Sequence, residues 1–261
     1  MDYQYKNQYQ YPSDFALNDQ YAYQNSDNYS NSKEEEARTE INEMIRLGFI
    51  RKVYGILSVQ LFITTMFSLI AMISDSVRKF MINNIGIMLL MLLLVIFLPC
   101  VIVCCNGQMR EFPKNYIILG IFTLAESYLV GFICAFTKPE VVFMAASMTF
   151  VMVVTLTLYA MTTKTDITMY GGLIFILVAA LFLFAIFGIF IQIRLFHVIL
   201  ALIGVILFSI YIIYDTQLIM GNRSEMIEVD DYILGAFILY TDIINLFIEL
   251  LRIINYFYDS S

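Results

Sequence analysis

The 261-residue sequence predicts an all-α, polytopic membrane protein: a bundle of seven transmembrane helices with the last helix at its centre. Three observations predict it. Hydrophobic residues make up 60% of the chain and charged residues 14%, where soluble domains run near ~45–50% and ~25%. Seven apolar segments each reach the ~20 residues that a helix needs to cross ~30 Å of hydrocarbon. The seventh of them carries a row of polar side chains on one face, and such a row cannot meet lipid.

The charge distribution strengthens the first observation. Residues 1–52 hold 15 of the 37 charged residues, leaving 22 for the other 209. A stretch so long and so poor in charge would expose more apolar surface than a water-soluble fold tolerates. The net charge of −7 is spread thinly and builds no field suited to nucleic acid or to a charged substrate. Soluble enzyme, nucleic-acid binder and disulfide scaffold are thereby excluded. Cys100, Cys104, Cys105 and Cys134 all lie in apolar runs, and His197, the only histidine, is not at metal spacing from them. No nucleophile triad, phosphate loop or zinc spacing occurs, so neither enzymatic chemistry nor a resident cofactor is expected.

Residues 1–32 differ in composition from the rest, with seven Tyr among Gln, Asn, Ser and Asp. Having almost no aliphatic residues, they cannot bury enough surface to offset their ordering entropy, and a disordered cytosolic tail is expected, with Tyr-rich docking to cytosolic proteins as the sharper reading. Residues 33–52 are charged with apolar Ile41, Ile45 and Phe49, the pattern of a short amphipathic juxtamembrane segment. The membrane domain, 53–257, follows with spans at 53–73, 85–105, 116–136, 141–161, 171–191, 196–220 and 231–257. The connections are short and polar, as in 74–84 with Arg78 and Lys79, or 106–115 with Pro113.

A cytosolic N-terminus places ten Lys and Arg inside (Lys6, Lys33, Arg38, Arg46, Arg51, Lys52, Arg110, Lys114, Lys164, Arg223). Five stand outside (Arg78, Lys79, Lys138, Arg194, Arg252). The excess favours that orientation.

Each ionisable residue at membrane depth costs at least ~2.5–3.5 kcal/mol at a helix centre and marks a functional candidate. Asp242, Asn245, Glu249 and Arg252 are spaced i, i+3, i+7 and i+10, which at 100° per residue places them within an arc of about 80°. They form the polar stripe of the seventh span and are candidates for an ion pathway. Their plain structural alternative is a buried hydrogen-bonded seam, with Glu249 and Arg252 as a simple i, i+3 pair. Asp215 lies about five residues, or ~8 Å, before the end of the sixth span at Gly221. The seventh segment is ~40 Å of helix for a ~30 Å core, so its first turns can stand proud and leave Asp242 at a similar depth. Two carboxyls meeting in a low dielectric cannot both ionise easily, so such a pair shares a proton, and when both are ionised it suits a hard cation such as Ca²⁺. Glu126, flanked by Thr123 and Ser127, is a further pathway candidate or else a protonated acid bonded to a neighbouring helix. Gln60, Thr64 and Ser68 form an i, i+4, i+8 row that reads as helix–helix glue. His197 beside Arg194 reads as an interfacial anchor. Cys104 and Cys105 end the second span on the cytosolic side and are candidates for reversible palmitoylation beside plain apolar packing. Glu225, Glu228, Asp230 and Asp231 against Arg223 give a local acidic vestibule before the last span.

Three runs carry a resemblance: Tyr214-Asp215-Thr216-Gln217-Leu218-Ile219-Met220-Gly221-Asn222-Arg223, Asp231-Tyr232-Ile233-Leu234-Gly235-Ala236, and Leu239-Tyr240-Thr241-Asp242-Ile243-Ile244-Asn245-Leu246-Phe247. Phe49-Ile50-Arg51-Lys52-Val53-Tyr54, Phe112-Pro113-Lys114-Asn115-Tyr116 and Thr163-Lys164-Thr165-Asp166-Ile167-Thr168 support them. Together they resemble the lifeguard branch of the Bax-inhibitor transmembrane family over about residues 44–257. The resemblance implies a seven-helix fold with a central last helix, Ca²⁺ leak across endoplasmic reticulum or Golgi membranes, and suppression of cell death. It implies a pair of aspartates acting as pH sensor and gate, which map by motif to Asp215 and Asp242. Ca²⁺ is then the permeant ion, and the bilayer and regulators of cell death or other channels are the implied partners. Two positions depart from the pattern. A bacterial relative has a basic latch on its second helix, whereas 85–105 holds no charge, and Thr162 stands where Gln is common. The competing reading is a non-conducting membrane protein that regulates other channels or death factors. A proton-coupled transporter is a weaker third, because no inverted repeat or pair of interrupted helices is present.

The orientation makes a direct prediction. The sequons Asn28-Tyr29-Ser30 and Asn222-Arg223-Ser224 both fall on the cytosolic side. Protein made in microsomes should therefore show no mobility shift on glycosidase treatment, and a shift abolished by Asn222→Gln would invert the topology.

Overall fold

The computed structural model describes the backbone of residues 14–104, 111–191, 193–221, 224 and 226–260. Side chains are described from residue 38 within those ranges, apart from 103, 104 and 260. Expectations about residues 1–13, Cys105, Asn222, Arg223, Glu225 and the side chain of Cys104 lie outside the described residues. The chain divides into two units, 1–47 and 48–261. In the first, residues 14–47 are helical, forming part of α1 (Asp14–Ile73). That helix begins inside the stretch whose composition predicts disorder. Propagation from an existing turn adds one hydrogen bond per residue fixed and needs no new nucleus. Among the apolar residues of the juxtamembrane segment, Phe49 is buried in the core while Ile41 and Ile45 are exposed.

The second unit is all-helical among its described residues. After α1 come α2 (Asp75–Asn83), α3 (Ile85–Cys104), α4 (Lys114–Ala135), α5 (Pro139–Thr162), a 3-10 turn at Thr168–Tyr170, α6 (Gly171–Gly188), α7 (Arg194–Met220) and α8 (Tyr232–Ser260). Seven helices among the described residues are long and apolar enough to cross a membrane, all but α2. Their ends agree with the expected spans to within three residues, except that α1 begins far ahead of the expected start at 53. The exception to the expected pattern is α2, in a stretch that reads as a polar connection. The Ser74 hydroxyl accepts a hydrogen bond from the Val77 N–H at 3.4 Å, and Asp75 sits in the first turn, where the helix dipole favours an acid. Met81 on its apolar side is fully buried. A capped nine-residue amphipathic helix is the result.

Helix α8 occupies the centre. Of the apolar window of each helix, 61% is buried in α8 and 50% in α4, against 6% in α3 and 11% in α6. The core accordingly gathers on α8, with Ile233, Leu239, Tyr240 and Leu246 packed among Val53 and Leu57 of α1, Phe122 of α4 and Ile212 and Ile219 of α7. The Phe122 ring stands edge-on to Phe237 at 4.8 Å between centroids and to Tyr240 at 6.1 Å. Lipid is as apolar as these side chains, so association rests on close packing and interhelical hydrogen bonds, which small residues permit. Gly235 is one such place: a Cβ there would come within 3.2 Å of Val53 and 3.5 Å of Ile219, where α1, α7 and α8 cross. Gly204 is another, with the Glu249 side chain 2.9 Å from where its Cβ would be.

Gly235→Leu should therefore separate the three helices and destabilise the bundle by roughly 1–3 kcal/mol, the usual cost of overpacking. Gly172→Leu, at a position with nothing within 4 Å, is the control. Thermal unfolding in micelles should show a lower midpoint for the first variant only, and equal midpoints would mean that the three-helix crossing is slack.

Candidate functional site

The site begins where α7 ends. Gly221 adopts φ 71°, a left-handed conformation natural to glycine, and its N–H bonds back to the Gln217 carbonyl at 3.2 Å. This stops the helix five residues beyond Asp215. Helix α8 runs antiparallel from Tyr232, and Asp242 lies ten residues along it, ~15 Å at 1.5 Å per residue. Both aspartates are buried, Asp215 at 5% and Asp242 at 7% exposure, and their side chains are close enough to interact electrostatically. A hydrogen bond between two carboxyls requires a proton on one of them. Tyr211, one turn before Asp215, is close enough to interact electrostatically with both. Both residues expected from depth arithmetic are buried on facing helices, α7 and α8.

The polar stripe borders a cavity. Asp242, Asn245, Glu249 and Arg252 all line one cavity of about 430 Å³ between α6, α7 and α8, together with Tyr211 and apolar residues of α6 such as Phe182. Glu249 and Arg252 also form an ion pair at 2.8 Å, so that the plain i, i+3 reading and the cavity reading both hold for them. In the pair Arg252 is 43% exposed and Glu249 15%, whereas Asp242 is buried.

Glu126 is elsewhere. It shares a face of α4 with Thr123 and Ser127, on the side of α8 that carries Tyr240. Tyr240 and Asp242 are two residues apart and so point to opposite sides of their helix. Glu126 is buried at 9% exposure, does not line the cavity, and has one carboxyl oxygen without a hydrogen-bond partner among the described residues. The nearby seam joins three helices: Gln60 Nε2 donates to Thr123 Oγ1 at 2.9 Å, and Thr64 Oγ1 lies 2.9 Å from Ser127 Oγ and 2.7 Å from the Tyr240 hydroxyl. Such bonds average only ~0.6 kcal/mol within a membrane, so the seam fixes the register of α1, α4 and α8 more than it stabilises them. Ser68, the last of the expected glue row, is buried on α1. His197 Nε2 lies 2.8 Å from the Ile191 carbonyl, tying down the turn between α6 and α7.

One part of the site has no counterpart in the expectations. Gln217, fully buried, donates from Nε2 to the Thr165 carbonyl and accepts at Oε1 from the Ile167 N–H, both at 2.9 Å. Asp166 in turn accepts from the Thr168 hydroxyl at 2.6 Å and N–H at 3.0 Å, and from the Ser224 hydroxyl at 2.7 Å and N–H at 2.9 Å. The loop between α5 and α6 is thereby clasped to the end of α7 and to the segment leading into α8. Asp-x-Thr, an acid whose side chain bonds its own backbone two residues on, was the available signal for the first half of the clasp. Nothing in the sequence points to Ser224. Of the expected acidic vestibule, Glu228 and Asp230 are exposed and Asp231 half-buried. Among the described residues, no three His, Cys, Asp or Glu gather as metal ligands.

The profile of a family described as inhibitor of apoptosis-promoting Bax1 matches residues 46–259. Protein lifeguard 3 of Mus musculus is 35% identical over 215 residues, 81% of this chain and 70% of that protein, and Protein lifeguard 3 of Homo sapiens is 35% identical over 218. Protein LIFEGUARD 4 of Arabidopsis thaliana is 36% identical over 215 residues, 80% of this chain and 85% of the relative.

The hydrogen bonds from Thr168, and then those from Ser224, hold the Asp166 carboxyl well below the usual carboxylate range. A carboxyl lowered on folding contributes stability that is present above its unfolded pKa of ~3.9 and is lost as pH falls through its folded value. The clasp should thus be constant from pH 5 to 8. Asp166→Asn, which keeps one acceptor and loses the charge, should speed amide exchange at residues 163–168 and 224 with α3 unchanged. Unaltered exchange at 163–168 would remove the clasp from the account of the site.

Proposed function

The chain belongs to the lifeguard branch of the Bax inhibitor family, and from that premise we propose that it is a pH-sensitive Ca²⁺ leak channel of endoplasmic reticulum or Golgi membranes with a cytoprotective, anti-apoptotic role. The observation that carries this reading is the burial of Asp215 and Asp242 beside each other on α7 and α8, with Asp242 lining a cavity together with Asn245, Glu249 and Arg252.

The chemistry follows from the placement. With a proton between them, the two carboxyls bond across α7 and α8 and keep the helices together at the cytosolic end. Loss of that proton leaves two anions in a medium of low dielectric, whose repulsion separates the helices and opens the cavity toward the cytosol. The same event creates two hard oxygen ligands for a cation. Ca²⁺ takes six to eight oxygens, so two carboxylates hold it briefly and with part of its water, as passage rather than storage requires. Asn245 then offers a neutral amide along the path, and Glu249 with Arg252 sets the field at the far mouth. Glu126 acts apart from this path, on the other side of α8. The interaction-protein alternative assigns the same acids to packing alone and predicts no flux from purified protein.

Efflux of Ca²⁺ from liposomes carrying the purified protein should rise with pH through the titration of the pair. Asp242→Asn presents a permanent hydrogen-bond donor to Asp215, and it should give a low, pH-independent rate. If this variant matched the wild type in both rate and pH profile, the gate would be wrong; no flux from the wild type would favour the interaction protein.

A further inference from the structure

A second, larger cavity lies on the opposite side of α8 from the one just described, walled by α1, α4, α5 and α8, with a volume of about 610 Å³. We propose that it is a binding site for one acyl chain of a bilayer phospholipid. This does not depend on the channel reading.

The chemistry of the walls excludes water and ions. No charged residue lines the cavity. Three of its four hydroxyls are engaged: Thr65 donates to the Leu61 carbonyl and Thr149 to the Ala145 carbonyl, both at 2.8 Å, and Thr64 belongs to the seam with Ser127 and Tyr240, which leaves the buried Ser68 Oγ as the one hydroxyl of the lining without a hydrogen-bond partner among the described residues. A buried water needs two to four polar partners, and a single free hydroxyl is too few, so the cavity takes apolar guests. Its volume falls in the ~300–1,000 Å³ range of small-ligand sites.

The mouth identifies the source of the guest. Phe143 and Phe150 on α5 are 74% and 71% exposed and Leu69 on α1 is 44% exposed, all on membrane-spanning helices at the edge of the cavity. Phe150 is the twelfth of 24 residues in its helix, so the opening faces hydrocarbon at mid-depth. A transmembrane helix does not fit, because at ~10 Å diameter it would use this volume in under two turns. A single acyl chain is narrow and flexible enough to enter sideways. At the end of the cavity lined by Pro139, the preceding residue is Lys138, whose ammonium is 3.9 Å from Asp259 and 4.3 Å from the centre of the Tyr258 ring. A cation at the membrane surface beside the cavity's end is placed for a lipid phosphate, which favours a phospholipid over a sterol.

The test uses the full chain in phosphatidylcholine nanodiscs and, after detergent exchange, native mass spectrometry. The wild type should retain one phospholipid mass. With a phospholipid bearing a diazirine on one acyl chain, irradiation should label residues 65–72 and 142–153 above the exposed face of α3. Ala146 is exposed and lines the cavity, so Ala146→Phe fills the space with little cost to folding and should lose both the adduct and the excess labelling. Should that variant not purify folded, Lys138→Gln is expected to lower retention of the adduct instead. A wild type that emerges bare, or carries a fatty acid or sterol mass, overturns the proposal, and so does labelling spread evenly over α3, α5 and α6.

Discussion

A helix that carries Asp242, Asn245, Glu249 and Arg252 on one side cannot face lipid, and the arrangement of the other helices follows from hiding it. Each of these groups would cost several kcal/mol against hydrocarbon, more than any single packing contact in the bundle returns. Helix α8 is therefore enclosed, and helices with no polar stripe, α3 and α6, take the periphery with their apolar faces outward. The two sides of α8 are then put to different uses. Toward α6 and α7 it presents the stripe and a polar cavity. Toward α1 and α4 it presents Tyr240, whose hydroxyl closes the hydrogen-bonded seam.

Gly204 and Gly235 show how this enclosure is reached in detail. A central helix with bulky polar side chains needs neighbours that yield space at particular points. Gly204 admits the stem of Glu249 against α7, which brings that carboxylate into line with Arg252 instead of forcing it into lipid. Gly235 lets α1 and α7 approach near the start of α8, close enough that Asp215 and Asp242 meet. The glycines and the acids are thus parts of one solution: close backbones are what permit buried polar groups to find each other.

The spans, the centrality of the last helix and the approach of Asp215 to Asp242 were all legible in the sequence, because each depends on quantities that a single chain carries: length, apolar runs and angular spacing. The Gln60, Thr64 and Ser68 row was legible as glue for the same reason, although its partners Thr123, Ser127 and Tyr240 were not. Helix α2 was obscured by its mixed composition, since a nine-residue amphipathic helix and a polar loop look alike until Met81 is seen to be buried. The clasp at Asp166 was beyond reach for a different reason. Its bonds to Ser224 span 58 residues, those of Gln217 to the neighbouring Thr165 and Ile167 span 52 and 50, and nothing local marks either partner. Glu126 carried a true signal, a buried acid at membrane depth, but spacing along α4 could not say which side of α8 it would meet.

The clasp bears on how any opening of the aspartate contact can proceed. Gln217 is two residues beyond Asp215 and is fixed by two hydrogen bonds to the loop between α5 and α6. That loop is itself bonded through Asp166 to Ser224, within the segment that feeds α8. The end of α7 is consequently the better anchored of the two partners, and the freedom needed to part the carboxyls lies on α8. Its first turns are held by the Gly235 crossing, but beyond Asp242 the helix borders a cavity on each side. A helix with space on both flanks can tilt or rotate without first breaking its neighbours apart. Motion of α8 past a stationary Asp215 is thus the displacement that the packing least resists, and the contents of either cavity set how far it can go.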